Sequence, residues 1–377
     1  MIIDDDIRAI VSRIENAGHV SEYDVTNLVH RLAINCVASK RDLSVSAGDD
    51  PFPAYPIDHD GYAVSFDPLT DEAGFTDAWR RYGFVVGKAI LSQDQCKQAR
   101  DEIKARFRAL SHETCDMDRP DTWHNMPRDA NGTPVLSRGF LEIYHDDVLA
   151  QLRQNVRAYI HHVLIWGRPD LWTTFDRIGV KLPHHEESVA LPLHVDQNPN
   201  IHPGFKTVQG VMALTDCPAR RGTFMGVPGS RAFFHHYGAM AKNAGEYVEL
   251  DQSTPIAATF RRHAQAIPLR AGDFVSWHSG TTHANTENMS DETRMVAYIS
   301  AGPAQRYSVN AHIARANAFV DGTGSNVRDA MMHASKKPRF TDPAAIARIR
   351  KPERLTPLGK LLYGMNAYEP NLPTPAP

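Results

Sequence analysis

Three short segments pair a histidine with an acidic residue at the spacing that two ligands of one metal ion require. They are His145-Asp146-Asp147, His184-His185-Glu186-Glu187 and Leu193-His194-Val195-Asp196-Gln197. On extended backbone, residues i and i+2 point to the same side, so a His-x-Asp or His-x-Glu pair can then share a metal ion. Two imidazoles and one carboxylate on one face of iron(II) leave three positions open for a cosubstrate and dioxygen. The pairs could therefore support the chemistry of a non-haem iron oxygenase.

The local context of the three pairs favours the third as the metal-binding pair. His145 and Asp147 stand where a helix is predicted to begin. On a helix, residues i and i+2 do not face each other, so helix capping is the better interpretation. The second segment has four adjacent polar groups, which is typical of a solvated loop. His194 and Asp196 follow the apolar residues 189–193, so we expect them to enter the protein interior, where a buried polar pair needs a partner such as a metal ion.

The third ligand must come from a later strand, and His278 and His283 are the candidates. The pattern places His283 in the turn that follows a strand ending at His278. Arg294 favours His283, because it lies eleven residues later on the next predicted strand, among inward-facing apolar residues. A buried guanidinium needs a carboxylate, and a bidentate contact of roughly 1.5–3 kcal/mol would hold the distal end of 2-oxoglutarate. An outward-facing surface arginine is the alternative interpretation of Arg294.

The elements that must position these residues are predicted from hydrophobic periodicity and capping signals. Helices are predicted within residues 1–40, 75–82, 92–110, 146–166 and 344–350. Strands are predicted at residues 84–86, 177–182, 206–214, 222–227, 266–269, 273–278 and 293–300. The pattern indicates a mostly β core, as a sandwich or barrel, with flanking helices.

The chain is expected to divide into three parts. These are an N-terminal helical extension and linker at residues 1–70, an oxygenase core with flanking helices at 71–303, and a C-terminal helical extension at 304–377 packed on the core. The polar residues 115–137 are a candidate for a flexible active-site loop, and a surface loop without a role is the alternative.

Composition narrows the class of protein. The 377 residues are 42% hydrophobic and 23% charged, and the formal net charge is −3. No long block of lysine and arginine is present, which disfavours nucleic-acid binding and favours a small-molecule partner. The sequence has no signal-peptide pattern and no apolar stretch of membrane-spanning length, so we expect a cytoplasmic protein, as a monomer or homodimer. Four cysteines without a C-x-x-C pattern are typical of reduced thiols.

The chain resembles the phytanoyl-CoA dioxygenase-like family of iron(II)/2-oxoglutarate oxygenases over roughly residues 75–300. Four motifs carry the resemblance, and their order and spacing are more specific than any one of them. They are residues 79–86 with the helix opening at Ser92, His194-Val195-Asp196, the turn ending Pro228-Gly229-Ser230-Arg231, and Ala271-Gly272-Asp273 followed by His283 and Arg294. The family's turn usually ends in histidine where this chain has Arg231.

The resemblance implies a double-stranded β-helix of the jelly-roll or cupin-like kind. It implies iron(II) held by His194, Asp196 and His283, with 2-oxoglutarate and dioxygen as cosubstrates and Arg294 on the distal carboxylate. Asn285 stands where the family often has a further polar contact to 2-oxoglutarate, and Gln209 and Lys181 are possible additional contacts. Related radical halogenases replace the carboxylate ligand by glycine or alanine, so an intact Asp196 favours hydroxylation or desaturation.

The substrate is expected to be a small polar metabolite. This expectation depends on polar residues that are predicted to line the entrance of the site. The alternative is that they are ordinary surface residues. They are Trp123, His124, Asn125, Arg128, Arg138, Lys181 and Gln197. Two other function classes remain open. One is a cupin-like metal enzyme, an isomerase or an oxygenase that does not use 2-oxoglutarate, with the same His/Asp/His site. The other is a catalytically silent binding or scaffold protein that retains the fold.

Overall fold

Two antiparallel β-sheets face each other across a polar cavity, and helices cover the outer face of the larger sheet. The computed structural model of the protein describes residues 1–17, 19–40, 42, 44, 49–129, 131–241, 245, 248–325, 334–336 and 350–373.

The helices of the described chain are α1 (Asp5–Asn16), α2 (Glu22–Ser39), α3 (Glu72–Tyr82), α4 (Gln93–Leu110), α5 (Asp147–Arg153), α6 (Val156–Trp166), α7 (Pro255–His263), α8 (Val309–Asp321) and α9 (Pro357–Leu362). Short 3-10 helices span Pro120–Asn125, Ser137–Gly139 and Ser230–Ala239. The strands are β1 (Phe84–Gly87), β2 (Phe140–Leu141), β3 (Leu171–Thr173), β4 (Ile178–Lys181), β5 (Leu191–Val195), β6 (Val208–Ala213), β7 (Phe224–Gly226), β8 (Val248–Glu249), β9 (Gln265–Ile267), β10 (Phe274–His278), β11 (His283–Asn285), β12 (Arg294–Tyr298), β13 (Ala301–Pro303), β14 (Gly324–Ser325) and β15 (Ala334–Lys336).

The order of the strands brings distant parts of the sequence together. The larger sheet has the order β1-β10-β6-β12-β4-β2, and the smaller sheet has the order β8-β5-β11-β7-β9. Every neighbouring pair within these two sheets is antiparallel. The pairs β3–β13 and β14–β15 form separate two-stranded ribbons. The mixed helical and antiparallel architecture agrees with the predicted β core and flanking helices.

Side-chain alternation on β12 shows how the larger sheet separates its two faces. Arg294 and Tyr298 point to the inner side and line the cavity between the sheets. Met295 and Ala297 point to the outer side, where they belong to the same hydrophobic cluster as Phe107 of α4. Because successive residues of a strand face opposite sides, one strand can build both the site and the core that supports it.

Local signals explain several helix boundaries. Ser92 and Gln95 form the predicted capping box at the start of α4, in which each side chain bonds the other residue's backbone N–H. Ser21 caps α2 through the backbone N–H of Asp24. The terminal helices share one hydrophobic cluster with the strands, which runs from Ile2 to Leu372.

Some local predictions differ from the structure. His283 does not lie in a turn but begins β11, a strand too short to give a periodic signal. The short strands β2, β3, β8 and β13 were also not predicted, since two or three residues show no alternation. The predicted helix at residues 344–350 lies outside the described residues except for Arg350, which is not helical.

Two observations relate to the predictions about membrane-spanning segments and cysteines. No helix among the described residues is long and apolar enough to cross a membrane. The four cysteines are all buried free thiols, which confirms the prediction of reduced cysteines.

We expect the free energy of unfolding to fall as the pH drops from about 6.5 toward 4. Burial lowers the pKa of His162 on α6 to about 4, and burial beside His162 lowers the pKa of His161 well below its ordinary value of 6.5. The unfolded chain therefore binds more protons than the native protein in this interval, which favours unfolding. Urea denaturation at pH 7.5, 6 and 5 measures how steeply the free energy of unfolding depends on pH. The variant His162→Gln should flatten it, and an unchanged slope in that variant would contradict the assignment.

Candidate active site

His194, Asp196 and His283 converge at the inner face of the smaller sheet. His194 lies on β5, Asp196 directly follows that strand, and His283 is the cross-strand partner of His194 on β11. The Nε2 atom of His283 lies 3.3 Å from Oδ2 of Asp196, and Nε2 of His194 lies 3.8 Å from Oδ1. The three residues are buried, with exposed fractions of 5%, 8% and 3% in chain order. The structure thus brings together the three residues predicted as metal ligands.

The second nitrogen of each imidazole fixes its orientation. Nδ1 of His194 lies 2.7 Å from the carbonyl oxygen of Pro192, and Nδ1 of His283 lies 2.9 Å from that of Thr281. A carbonyl oxygen can only accept, so Nδ1 is the donor in both rings and Nε2 is the atom left to bind a metal. Burial, followed by the neighbouring His283, lowers the pKa of His194 to about 4. His194 is therefore a neutral imidazole at neutral pH, the form that binds metals.

The carboxylate of Asp196 is also held by a neighbour. The indole Nε1 of Trp277, on β10 of the opposite sheet, donates to Oδ2 of Asp196 at 3.2 Å. Within the described part of the chain, these three residues form the one group of His, Cys, Asp or Glu side chains close enough to hold a metal ion, with ligand atoms within 4.8 Å of one another. Two imidazoles and one carboxylate fit iron(II) with open coordination positions.

The competing histidine and acidic pairs have other roles. His278 lies at the end of β10, where its Nδ1 accepts from the backbone N–H of Gly280 and its ring stacks on Phe205 at 4.4 Å. Asp146 is the N-cap of α5, as predicted, and His145 contacts Glu353 far from the cavity. The segment at residues 184–187 is a partly exposed turn. None of these residues belongs to the three-residue cluster.

The cluster lies in a cavity of about 360 Å³ between the two sheets. The walls combine charged, aromatic and aliphatic side chains, and both sheets contribute to them. The lining residues are Arg138, Phe140, Asp176, Arg177, Leu191, His194, Asp196, Gln209, Val211, Phe224, Glu249, Trp277, His283, Ala284, Asn285, Arg294 and Tyr298. A cavity of this size and polarity is suited to small polar molecules.

Arg294 is a buried cation at the cavity wall. It is 2% exposed, and its Nε has no hydrogen-bond partner. No carboxylate of the described residues forms an ion pair with this guanidinium, although a buried charge needs a partner. Gly179 on β4 makes room for it, because a Cβ atom at that position would lie 2.6 Å from Nη1 of Arg294. The structure therefore agrees with the inward-facing interpretation of Arg294, whose guanidinium lines the cavity without a carboxylate partner among the described residues.

The other predicted cofactor contacts divide into two groups. Asn285 and Gln209 line the cavity, whereas Lys181 does not. The ammonium of Lys181 is directed behind the wall, where it donates to the side-chain oxygen of Asn285 and to the carbonyls of Val189 and Thr286. The sequence predicted a direct contact between Lys181 and a ligand in the cavity. This geometry does not provide such a contact.

Most of the residues predicted at the entrance lie elsewhere, and Arg138 is the one that lines the cavity. Gln197 is buried and uses its side chain to hold the loop containing His202 and Gly204. Trp123 packs its ring against His185. The described part of residues 115–137 packs its apolar side chains into the core beside α4, and none of these residues lines the cavity.

Sequence reasoning missed several residues of the wall. Tyr298 lies four residues after Arg294 on β12, and Trp277 lies two residues after Val275 on β10, so strand alternation could have identified both. Phe140 and Asp176 come from short or irregular segments, and no local pattern in the sequence points to them. Arg177 begins the predicted strand at residues 177–182 but was not identified as a wall residue.

Comparison with known families gives a match over most of this region. A profile of the family described as Phytanoyl-CoA dioxygenase (PhyH) matches residues 79–296. A protein of Dictyostelium discoideum named "Putative phytanoyl-CoA dioxygenase" is 24% identical over 305 residues, which are 66% of this chain and 85% of that protein.

Comparison with solved structures concerns the fold. A structure named "Putative Oxidoreductase" from Salmonella typhimurium LT2 is similar over 96% of this chain and 94% of that chain, with 16% identity and a TM-score of 0.53. The epimerase SnoN in complex with Fe3+, alpha ketoglutarate and nogalamycin RO shows a weaker likeness, with a TM-score of 0.44 and 20% identity over 71% of this chain and 97% of that chain. The second likeness is too low to support an inference.

Proposed function

The chain belongs to the phytanoyl-CoA dioxygenase family, and from this premise we propose that it is an iron(II)/2-oxoglutarate-dependent dioxygenase acting on a small polar metabolite. The proposed reaction is hydroxylation, or desaturation, of an unactivated C–H bond with release of succinate and carbon dioxide. One observation carries the proposal: an unpaired buried guanidinium, that of Arg294, shares a cavity with the His194, Asp196 and His283 cluster. A metal site alone would not require this cation, whereas a cosubstrate with a free carboxylate does.

The strand order supports assignment of the two sheets to a double-stranded β-helix. Leaving out the edge strands β1, β2 and β8, the sheets have the orders β4-β12-β6-β10 and β5-β11-β7-β9. Consecutive strands then alternate between the two sheets at the first four positions, β4 to β7, and again at the last four, β9 to β12. Such a jelly roll places β5 and β11 side by side, which is why residues as distant in sequence as His194 and His283 can share one metal ion. The helices before residue 71 and after residue 303 are the proposed extensions to this core.

The proposed roles of the chain's own residues follow from their contacts. His194, Asp196 and His283 hold the iron, and Trp277 keeps the carboxylate of Asp196 aimed at it. Arg294 binds the distal carboxylate of 2-oxoglutarate, which fixes the other end of that molecule near the metal. When bound, iron(II) and 2-oxoglutarate together supply the activation of dioxygen that C–H oxidation requires. The protein's contribution is to hold these groups in place within the cavity.

Polar residues in the remaining wall favour a polar substrate. Arg138, Asp176, Arg177 and Glu249 are on the lining, together with the ring of Phe140. The guanidinium of Arg177 lies over that ring at 4.5 Å. An intact Asp196 occupies the position that radical halogenases leave open for a halide, so the hydroxylating or desaturating outcome is preferred over halogenation.

The proposal is tested by mixing the anaerobic protein with iron(II) and 2-oxoglutarate and recording the visible spectrum. We expect a weak charge-transfer band that needs both components and that titrates with 2-oxoglutarate. Matched samples with iron(II) alone, or with 2-oxoglutarate and zinc(II), should lack the band. A folded, iron-loaded protein that develops no band would overturn the proposal and favour an enzyme that uses the metal without 2-oxoglutarate.

A further inference from the structure

Lys181 and Arg294 form a pair of buried cations on adjacent strands. They are direct cross-strand partners on β4 and β12, and Lys181 is 1% exposed. Burial, followed by the charge of Arg294, lowers the pKa of Lys181, whereas the oxygen acceptors around its side-chain nitrogen favour the protonated form. Like charges directly opposite each other in a sheet are destabilising, so a core that keeps both needs a reason beyond packing.

The ammonium of Lys181 contacts three oxygen atoms, none of which belongs to a carboxylate. It donates to the carbonyl of Val189 at 2.8 Å, to the carbonyl of Thr286 at 2.5 Å and to Oδ1 of Asn285 at 2.6 Å. These contacts lie on the far side of the cavity wall. Lys181 therefore acts on the cavity through Asn285.

The side-chain amide of Asn285 has only one orientation compatible with its neighbours. Its Oδ1 accepts from Lys181 and from the backbone N–H of Leu191, at 3.2 Å for the latter. Both neighbours are donors, so a flipped amide would oppose donor to donor. Its Nδ2 makes no hydrogen bond with any residue in the described ranges, while Asn285 itself lines the cavity. The NH2 group is left as a free donor at the cavity wall that also carries Arg294.

We propose that Lys181 is a positioning residue, which holds the amide oxygen of Asn285 so that the NH2 group of Asn285 donates to the same ligand carboxylate that Arg294 binds. This inference rests on the proposed function, since the carboxylate is the distal one of 2-oxoglutarate. Two donors of different shape, a guanidinium and an oriented amide, define the position of a carboxylate better than one. Lys181 thereby contributes to selectivity for a dicarboxylic cosubstrate without touching it.

The test compares two keto acids that differ at the distal end. 2-Oxoglutarate has the second carboxylate, and 2-oxopentanoate has a methyl group there with the same chain length. Dissociation constants are measured anaerobically by calorimetry on the iron(II)-loaded protein, for wild type, Lys181→Met, Asn285→Ala and the double variant. Iron affinity is measured in parallel.

We expect Lys181→Met and Asn285→Ala each to weaken 2-oxoglutarate binding by about 10-fold, the effect of losing one hydrogen bond to a charged group. Binding of 2-oxopentanoate and of iron should change less than about 2-fold. Because Lys181 acts through Asn285, the double variant should be no weaker than Asn285→Ala.

Three results would overturn the inference. One is an equal loss of affinity for both keto acids in Lys181→Met, because a general structural role of Lys181 predicts that result. Another is a double variant in which the losses of 2-oxoglutarate affinity caused by the two single substitutions add. If Lys181→Met does not fold, Asn285→Ala decides by itself, since unchanged selectivity between the two keto acids excludes the oriented amide. Failure of the proposed function is distinguishable, because the wild-type protein would then not bind 2-oxoglutarate at all.

Discussion

Replacement of His283 by alanine is expected to abolish measurable iron(II) binding at micromolar metal and, with it, all 2-oxoglutarate-dependent oxygen consumption. His283 supplies one of three ligand atoms, and its partners His194 and Asp196 cannot complete a facial site without it. Loss of a residue that merely orients a ligand costs about 10-fold to 100-fold in metal affinity, so loss of a ligand should cost at least 100-fold. Metal content after dialysis, with calorimetric titration of iron(II), gives the measurement.

The matched control is His278→Ala, five positions earlier in the chain. His278 is also buried, but it stacks on Phe205 and accepts from the backbone of Gly280 instead of facing Asp196. This variant should lose some thermal stability through the lost ring contact and still bind iron(II) as the wild type does. If His278→Ala loses the metal and His283→Ala keeps it, the assignment of the third ligand is wrong.

Replacement of Arg294 by alanine is expected to weaken 2-oxoglutarate binding by about 10-fold to 150-fold, the range for one hydrogen-bonded charge contact of 1.5–3 kcal/mol. The affinity for iron(II) should stay nearly constant, because the guanidinium is not part of the His194, Asp196 and His283 cluster. Titration of the charge-transfer band with 2-oxoglutarate, beside an iron(II) titration, separates the two affinities. The concentration of 2-oxoglutarate needed for half-maximal turnover should rise in parallel.

Arg270→Ala is the matched arginine control. Arg270 pairs with Asp58 and Asp60 near the surface and does not line the cavity, so removing its charge should leave both affinities unchanged. An equal loss of affinity for iron(II) and for 2-oxoglutarate in Arg294→Ala would mean that Arg294 supports the fold of the site and does not bind the cosubstrate. That result would favour the cupin-like alternative, in which the metal works without 2-oxoglutarate.

The unpaired state of Arg294 also bears on the scaffold alternative. A protein that had kept only the fold would have no need of a buried guanidinium without a carboxylate partner, because such a charge destabilises the core. Together with Gly179, which leaves space for the guanidinium, the observation favours a site that still receives an anion.

Much of the fold was predictable because its signals are local. The capping box at Ser92 and the apolar stripe of α4 follow from helical periodicity, and strands such as β6, β10 and β12 are long enough to show alternation. The short strands were not predictable, since their hydrogen bonds depend on neighbours supplied by distant parts of the chain. His283 is the clearest example, because its strand β11 spans three residues and exists through pairing with β5 and β7.

The sequence by itself pointed to His194, Asp196, His283 and Arg294 as candidate site residues, because residue type, two-residue spacing and position relative to a strand are properties of the chain. Tertiary structure alone decided what surrounds them. Trp277 reaches Asp196 from the opposite sheet, and Lys181, predicted as a ligand contact, lies behind Asn285. The reason is geometric: alternation tells which side of a sheet a side chain faces, but the reach of a long side chain and the orientation of an amide depend on which donors and acceptors the other strands bring beside it.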